Sequence, residues 1–216
     1  MATVKVAEIP ELDVDPVTLD IIEGALKSTR FEMDATLFRT AMSPVIREQH
    51  DEFPMITDPH GRMVVGQFGS YISEMLEGFD EPIREGDVIL NSDPYKCGGT
   101  ISHINDWLVC LPIFWEEELI GWASMFGHQM DAGGPLPGSL PTGAKTVFGE
   151  GIRIPPVKIF REGELNKVVV EVRHPCFNTE RHAVSIFVPE ERRQVRSRYE
   201  PPQRPCEDGA FTLLWS

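Results

Sequence analysis

Two histidines and an aspartate, His103, Asp106 and His128, are the residues best placed to do chemistry in this sequence. Trp107 to Trp115 and Leu119 to Phe126 are two apolar, β-prone runs, separated by Glu116, Glu117 and Glu118. Such a pattern predicts an antiparallel hairpin. Centred on Glu117, the hairpin sets Asp106 opposite His128 and His103 opposite Asp131. Directly opposed residues bring their Cβ atoms within roughly 4.5–5.5 Å. Two imidazoles and one or two carboxylates at the strand ends suit zinc, manganese or iron(II), with positions left for water or substrate. The register must be right to within one residue, because a single slip sends facing side chains to opposite faces.

Around that cluster, Asp131 either ligates directly or fixes a histidine tautomer from outside, and Asn105 is a second candidate for the outer role. Gly133 and Gly134, with Pro135, Pro137 and Gly138, read as a loop whose backbone approaches a ligand closely. Cys97, before Gly98-Gly99, is a small loop hydrophobe or a nucleophile; no cation adjoins it in sequence to favour a thiolate. Cys110 falls within an apolar strand and reads as core. His60 sits in a turn. His50, with Arg47, Glu48, Asp51 and Glu52, forms a polar helix-end cluster or lines a cleft. No GxxxxGK[ST] phosphate loop occurs, so no recognisable ATP motif is present.

The elements that position these residues are legible. Asp15-Pro16 opens a helix as N-cap and first helical residue. Val17, Ile21, Ala25, Leu26, Met33, Leu37, Phe38 and Ala41 recur at helical spacing, which predicts an apolar stripe laid on a core. Ser43-Pro44 ends that helix. Phe53 to Ile56 and Met63 to Val65 flank Asp58-Pro59-His60-Gly61 as a hairpin. Glu85-Gly86-Asp87 turns into a buried strand, Val88-Ile89-Leu90, which ends at Asn91-Ser92-Asp93-Pro94. The expected fold is α+β (mixed α/β): a long N-terminal helix packed on a mainly antiparallel sheet with hairpins.

Composition narrows the function classes. The chain has 216 residues, is 41% hydrophobic and carries a formal charge of −14. The acidic balance opposes nucleic-acid binding. No apolar run is long enough for a membrane helix. Met1 to Pro10 lacks a basic region followed by an apolar stretch, which argues against secretion. Cys97, Cys110, Cys176 and Cys206 form no CxxC pair and read as reduced thiols, consistent with a cytoplasmic protein. From Arg173 onward the composition changes to seven arginines, six acids and no lysine, with several prolines. That segment reads as an irregular tail, or as a shift of reading frame near Val172. The organisation expected is an N-terminal extension over 1–14, a domain over 15–172 and a divergent tail over 173–216.

Several stretches taken together resemble a known family. They are Asp15-Pro-Val-Thr-Leu, Arg39-Thr-Ala, Asp93-Pro-Tyr, His103-x-x-Asp106, Asp131-x-Gly-Gly, Pro137-Gly-Ser and Glu150-Gly-Ile-Arg-Ile-Pro-Pro-Val-Lys. In that order they resemble the hydantoinase B/oxoprolinase family, over about Val14 to Val170. The family holds the B-type subunits of ATP-dependent hydantoinases, the matching half of 5-oxoprolinase, and a large subunit of acetone and acetophenone carboxylases. The resemblance implies a hydantoinase A-like partner that uses ATP to activate a cyclic amide or ketone, after which the B-type subunit completes hydrolysis or carboxylation. It implies manganese in the carboxylase branch, held by positions matching His103, Asp106 and His128, with Asp131 orienting a ligand or moving a proton. Asn105, Gly133, Gly134 and Asp93 are the residues expected to surround this site as an outer shell or substrate loop. Gly127-His128 stands where many hydantoinase-type members carry two adjacent histidines, and the expected N-x-R-x-P helix does not follow Val172. The expected function is therefore the metal-bearing N-terminal portion of a B-type subunit of an ATP-dependent cyclic-amide hydrolase. The alternatives are a carboxylase subunit or a truncated docking module.

Overall fold

A computed structural model describes residues 14–41, 43–67, 72–136 and 140–169. Residues 1–13 of the N-terminal extension and the tail over 173–216 lie outside these residues. Helix α1 spans Pro16–Thr40, α2 Pro44–Gln49 and α3 Ser73–Glu77. The strands are β1 (Glu52–Thr57), β2 (Met63–Val65), β3 (Val88–Asn91), β4 (Asp106–Trp115), β5 (Glu118–His128), β6 (Val157–Arg161) and β7 (Glu164–Leu165). They form one antiparallel sheet in the order β2-β1-β5-β4-β3-β6-β7.

The sheet is apolar on both faces near its centre, which is why β3 reads as an uninterrupted Val-Ile-Leu run rather than an alternation. On one face Val88, Leu90, Trp107, Val109 and Met125 pack with Leu37, Ala41 and Ile46 from the helices. On the other, Ile89, Leu108, Cys110 and Phe126 pack with Met75 of α3 and with Cys97 and Ile101 of the loop before β4. The Asp15 carboxylate accepts hydrogen bonds from the Val17 and Thr18 N–H groups, capping α1 as expected.

Two local expectations require correction. The apolar stripe of α1 contacts the core only in its second half: Arg30, Met33 and Leu37 are its buried residues, whereas Val17 is 68% and Ile21 66% exposed. A helix of this length runs roughly 37 Å, longer than the part of it that the sheet covers. Proline 44 also does more than end α1. It occupies the first position of α2, whose C-terminal residue His50 takes a left-handed conformation.

The central hairpin is tighter than a turn centred on Glu117. Glu116 and Glu117, both at positive φ (46° and 70°), make a two-residue turn, so Trp115 pairs with Glu118 and Phe114 with Leu119. One extra residue, Ile120, then bulges from β5, and from Ile113↔Gly121 outward the register is the one expected, ending at Asp106↔His128. The tighter turn and the bulge cancel.

Two buried polar clusters fix the sheet to its surroundings. Lys158 lies 2.6 Å from Asp87 and also donates to the Pro82 carbonyl. The Asp87 carboxylate in turn accepts the N–H groups of Arg84 and Glu162, tying together the turns that flank β3 and β6. On the α1 face, Arg30 pairs with Asp34 at 2.9 Å, and Glu52 sets its carboxyl against that of Asp34. Burial, then the Asp34 charge, pushes Glu52 up to about 8.

Removing Lys158 strands a buried carboxylate, so Lys158→Met is expected to cost about 3–5 kcal/mol in urea unfolding. The double variant with Asp87→Asn should recover part of that loss; a single variant as stable as wild type would refute the account. Glu52 keeps its proton in the folded chain over a range where the unfolded chain, with an ordinary carboxyl near 4.3, has lost it. The unfolded state then binds fewer protons, so this group's contribution is complete below about pH 4 and is lost as pH rises through about 8. Glu52→Gln should flatten the fall of the urea midpoint with pH over that window; parallel profiles for the two proteins would contradict it.

Candidate metal centre

The site is built from the ends of strands. Asp106 opens β4 and His128 closes β5, directly opposite one another. Because facing residues share a face, both project to the side occupied by Leu108 and Phe126. The His103 carbonyl accepts the Asp106 N–H at 3.3 Å, so His103 reaches the same place through a turn. The structure therefore brings His103, Asp106 and His128 together, with one ligating atom of each within 4.8 Å of the others.

Asp106 lies between the two imidazoles. Its Oδ2 is 3.4 Å from His103 Nε2 and its Oδ1 is 3.4 Å from His128 Nδ1. The ring centroids are 5.1 Å apart, edge toward face. His128 is also held through its backbone: its carbonyl accepts the buried Ser43 hydroxyl at 2.8 Å, and its N–H donates to the Asp51 carbonyl. These bonds fix the strand end where it enters the site.

The other sequence candidates fall around this cluster. His103 does not lie across a ladder from Asp131, because residues 101–105 form bends and a turn rather than strand. Asp131, 6% exposed, instead accepts the Gly133 N–H at 2.7 Å and shapes the glycine loop. Gly133 takes φ 79°, and a Cβ at Gly134 would fall 2.5 Å from the Glu150 carbonyl, so the loop packs closely on residues 150–152. Pro137 and Gly138 lie outside the described residues. Asn105 faces Gln129 in the next ladder position, donating to its carbonyl through Nδ2; its buried Oδ1 finds no hydrogen-bond partner among the described residues. Asp93 accepts the Tyr95 N–H and lies 3.4 Å from Arg153.

Cys97 is fully buried, donates to backbone carbonyls and has its pKa raised by burial, so it stays a thiol in the core. Burial pushes Cys110 up to about 12. His60 is exposed, and His50 stacks on Phe38.

Sequence reasoning passed over Asp51 as a member of this site. Its carboxylate lies 3.7 Å from His128 Nδ1. The signal is recoverable only once β1 is known to pair with β5, because Glu52↔Gly127 makes Asp51 the residue facing His128. The same reasoning places Asp93 beside Asp106, since Asn91 faces Leu108 two residues earlier. Asp51, His128, Asp106 and Asp93 thus form a row across four adjacent strands. The donor set fits a divalent cation: two imidazole nitrogens flank a carboxylate, and a second carboxylate stands beside His128.

Comparison with known proteins agrees with this architecture. The family described as hydantoinase B/oxoprolinase matches residues 15–181. The caprolactamase subunit beta of Pseudomonas jessenii is 38% identical over 168 residues, covering 74% of this chain and 28% of that protein. The 5-oxoprolinase of Dictyostelium discoideum is 28% identical over 167 residues, covering 73% of this chain and 13% of that protein. The crystal structure of the ATP-dependent caprolactamase from Pseudomonas jessenii superposes with a TM-score of 0.67 at 32% identity, over 78% of this chain and 30% of that one. The chain spans less than a third of the length of each of these relatives. On the sequence match and the shared fold, this chain belongs to the hydantoinase B/oxoprolinase family.

Proposed function

We propose that this chain is the metal-bearing N-terminal part of a B-type subunit of an ATP-dependent cyclic-amide hydrolase. The observation that carries the reading is the meeting of His103, Asp106 and His128 at one end of the sheet. The relatives named caprolactamase and 5-oxoprolinase favour hydrolysis of a cyclic amide over carboxylation of a ketone.

In this reading His103 Nε2, His128 Nδ1 and the Asp106 carboxylate hold manganese, zinc or iron(II). When bound, such an ion supplies electrophilic assistance to the oxygen on which negative charge develops. The buried Asp106 carboxylate offsets part of the ion's charge and keeps both imidazoles turned inward. Asp131, at the head of the glycine loop, receives the proton released as water attacks the activated carbonyl carbon. ATP is used by a hydantoinase A-like partner, and the B-type part works on the substrate so activated. The protein acts in the cytoplasm.

Elemental analysis of the purified chain, followed by manganese titration read by electron paramagnetic resonance, tests the ligand set. Wild type should take up about one ion per chain, and His128→Ala should fall to background; equal, substoichiometric metal in both would exclude the assignment. Turnover of 5-oxoproline or a hydantoin with ATP and an A-type partner separates hydrolase from docking module. Bicarbonate-dependent consumption of a ketone in its place would move the chain to the carboxylase branch.

A further inference from the structure

The row of ionisable side chains continues one strand beyond Asp93. Ser92 donates its N–H to the Ile154 carbonyl at 2.9 Å, which makes Arg153 the residue beside Asp93 at the same end of the sheet. Asp93 is only 4% exposed, and its Oδ2 lies 3.4 Å from Arg153 Nε. That contact engages the inner nitrogen of the guanidinium. Among the described residues, the two terminal nitrogens have no hydrogen-bond partner.

The surroundings of this guanidinium are unlike those of an ordinary surface arginine. Its central carbon lies 5.7 Å from the centroid of the Tyr95 ring and 5.4 Å from that of Phe148. Neither ring is in the core: Tyr95 is 71% and Phe148 77% exposed. Two aromatic side chains are left in water, a carboxylate with almost no solvent contact braces the cation from behind, and the forked edge has no partner among the described residues. An arginine held in this way presents a planar pair of donors suited to carboxylate or phosphate. Its flanks stack favourably on aromatic faces.

The arginine also adjoins the candidate metal centre. Ile152 donates to the Ala132 carbonyl at 2.7 Å, so the segment leading to Arg153 lies against the Asp131–Gly134 loop. Gly151 permits this approach, since a Cβ there would come within 2.4 Å of the same carbonyl. Two strand spacings separate Arg153 from Asp106, on the order of 10 Å between backbones. A small molecule can bridge that distance between the two side chains.

We propose that Arg153, stacked with Tyr95 and Phe148, is an oxyanion-binding subsite that receives the phosphoryl group of the ATP-activated substrate while the reacting carbon lies at the His103–Asp106–His128 cluster. Assignment to a phosphoryl group rests on the hydrolase reading above; the oxyanion subsite itself rests on Arg153 and its neighbours.

The test is calorimetric titration of inorganic phosphate, and separately of acetate, into the full-length chain stripped of metal with EDTA. Phosphate should bind wild type more tightly than acetate. Arg153→Gln should weaken phosphate binding on the order of tenfold or more, the loss expected of a charged hydrogen-bonding group. Arg153→Lys, which keeps the charge and loses the fork, should fall between, and Phe148→Ala, at an exposed position that should not disturb folding, should weaken phosphate severalfold. No phosphate binding by wild type, or equal affinity in wild type and all three variants, would overturn the subsite. Acetate binding as tight as phosphate would overturn the phosphoryl assignment. Because the metal is absent throughout, a failed ligand assignment at His128 would appear in the manganese titration and leave this result untouched.

Discussion

The pairing of Asp106 with His128 is the constraint on which the rest of the site depends. Side chains alternate along a strand, so a slip of one residue between β4 and β5 would send these two groups to opposite faces of the sheet. The register is held along most of the hairpin by buried pairs such as Leu108↔Phe126 and Cys110↔Ser124. Near the turn it is one residue out, and the bulge at Ile120 restores it. The turn places two glutamates at positive φ, where Asn-Gly is the usual choice. A pair of strands that tolerates an unfavourable turn draws its register from the packed interior of the hairpin. The site therefore inherits its precision from the core.

Parity distributes the acidic residues at this end of the sheet. Asp51, Asp106 and Asp93 share a face with the apolar side chains that pack on α3, whereas Glu52 turns to the α1 face and meets Asp34. Carboxylates of like charge this close to one another are costly at low dielectric. On the α1 face the conflict is relieved by a retained proton on Glu52 and by Arg30. On the site face Arg153 lies beside Asp93, and two histidines flank Asp106. A neutral imidazole carries a lone pair that could ligate a cation. The same sheet end thus resolves one electrostatic problem in two ways, and only the second leaves lone pairs available to a ligand.

What could be read from the sequence followed the range of the interactions. The Trp107–Phe126 hairpin and its facing Asp and His are local pattern, and periodicity with turn residues reveals them. The helix cap at Asp15, the β1–β2 hairpin and the buried β3 were legible for the same reason. Extending the hairpin ladder through His103 sets it opposite Asp131, but residues 101–105 leave the ladder as bends and a turn, which Ser102 and Asn105, both turn-favouring residues, suit. Asp51 and Arg153 were unrecognised as neighbours of the cluster because β1 pairs with β5 and β3 with β6, and no local period encodes which distant strands meet. The exposed first half of α1 departs from expectation on another ground: its apolar spacing is genuine, but spacing alone does not say where the covering sheet ends.

The distribution of the site along the chain separates two physical demands. The three groups that could hold a cation, the Ser43 bond that steadies His128, and Arg153 with its aromatic neighbours all lie between residues 43 and 153, within one sheet and the loops at its end. Holding an ion requires that these few groups stay within a few ångströms of one another. The core packed on both faces of the sheet holds the strands that carry them. Turnover requires in addition an activated substrate, exclusion of bulk water and a path for the leaving group. None of these follows from strand register. Strand register and core packing therefore bear on the first demand, while the second turns on chemistry that they do not supply.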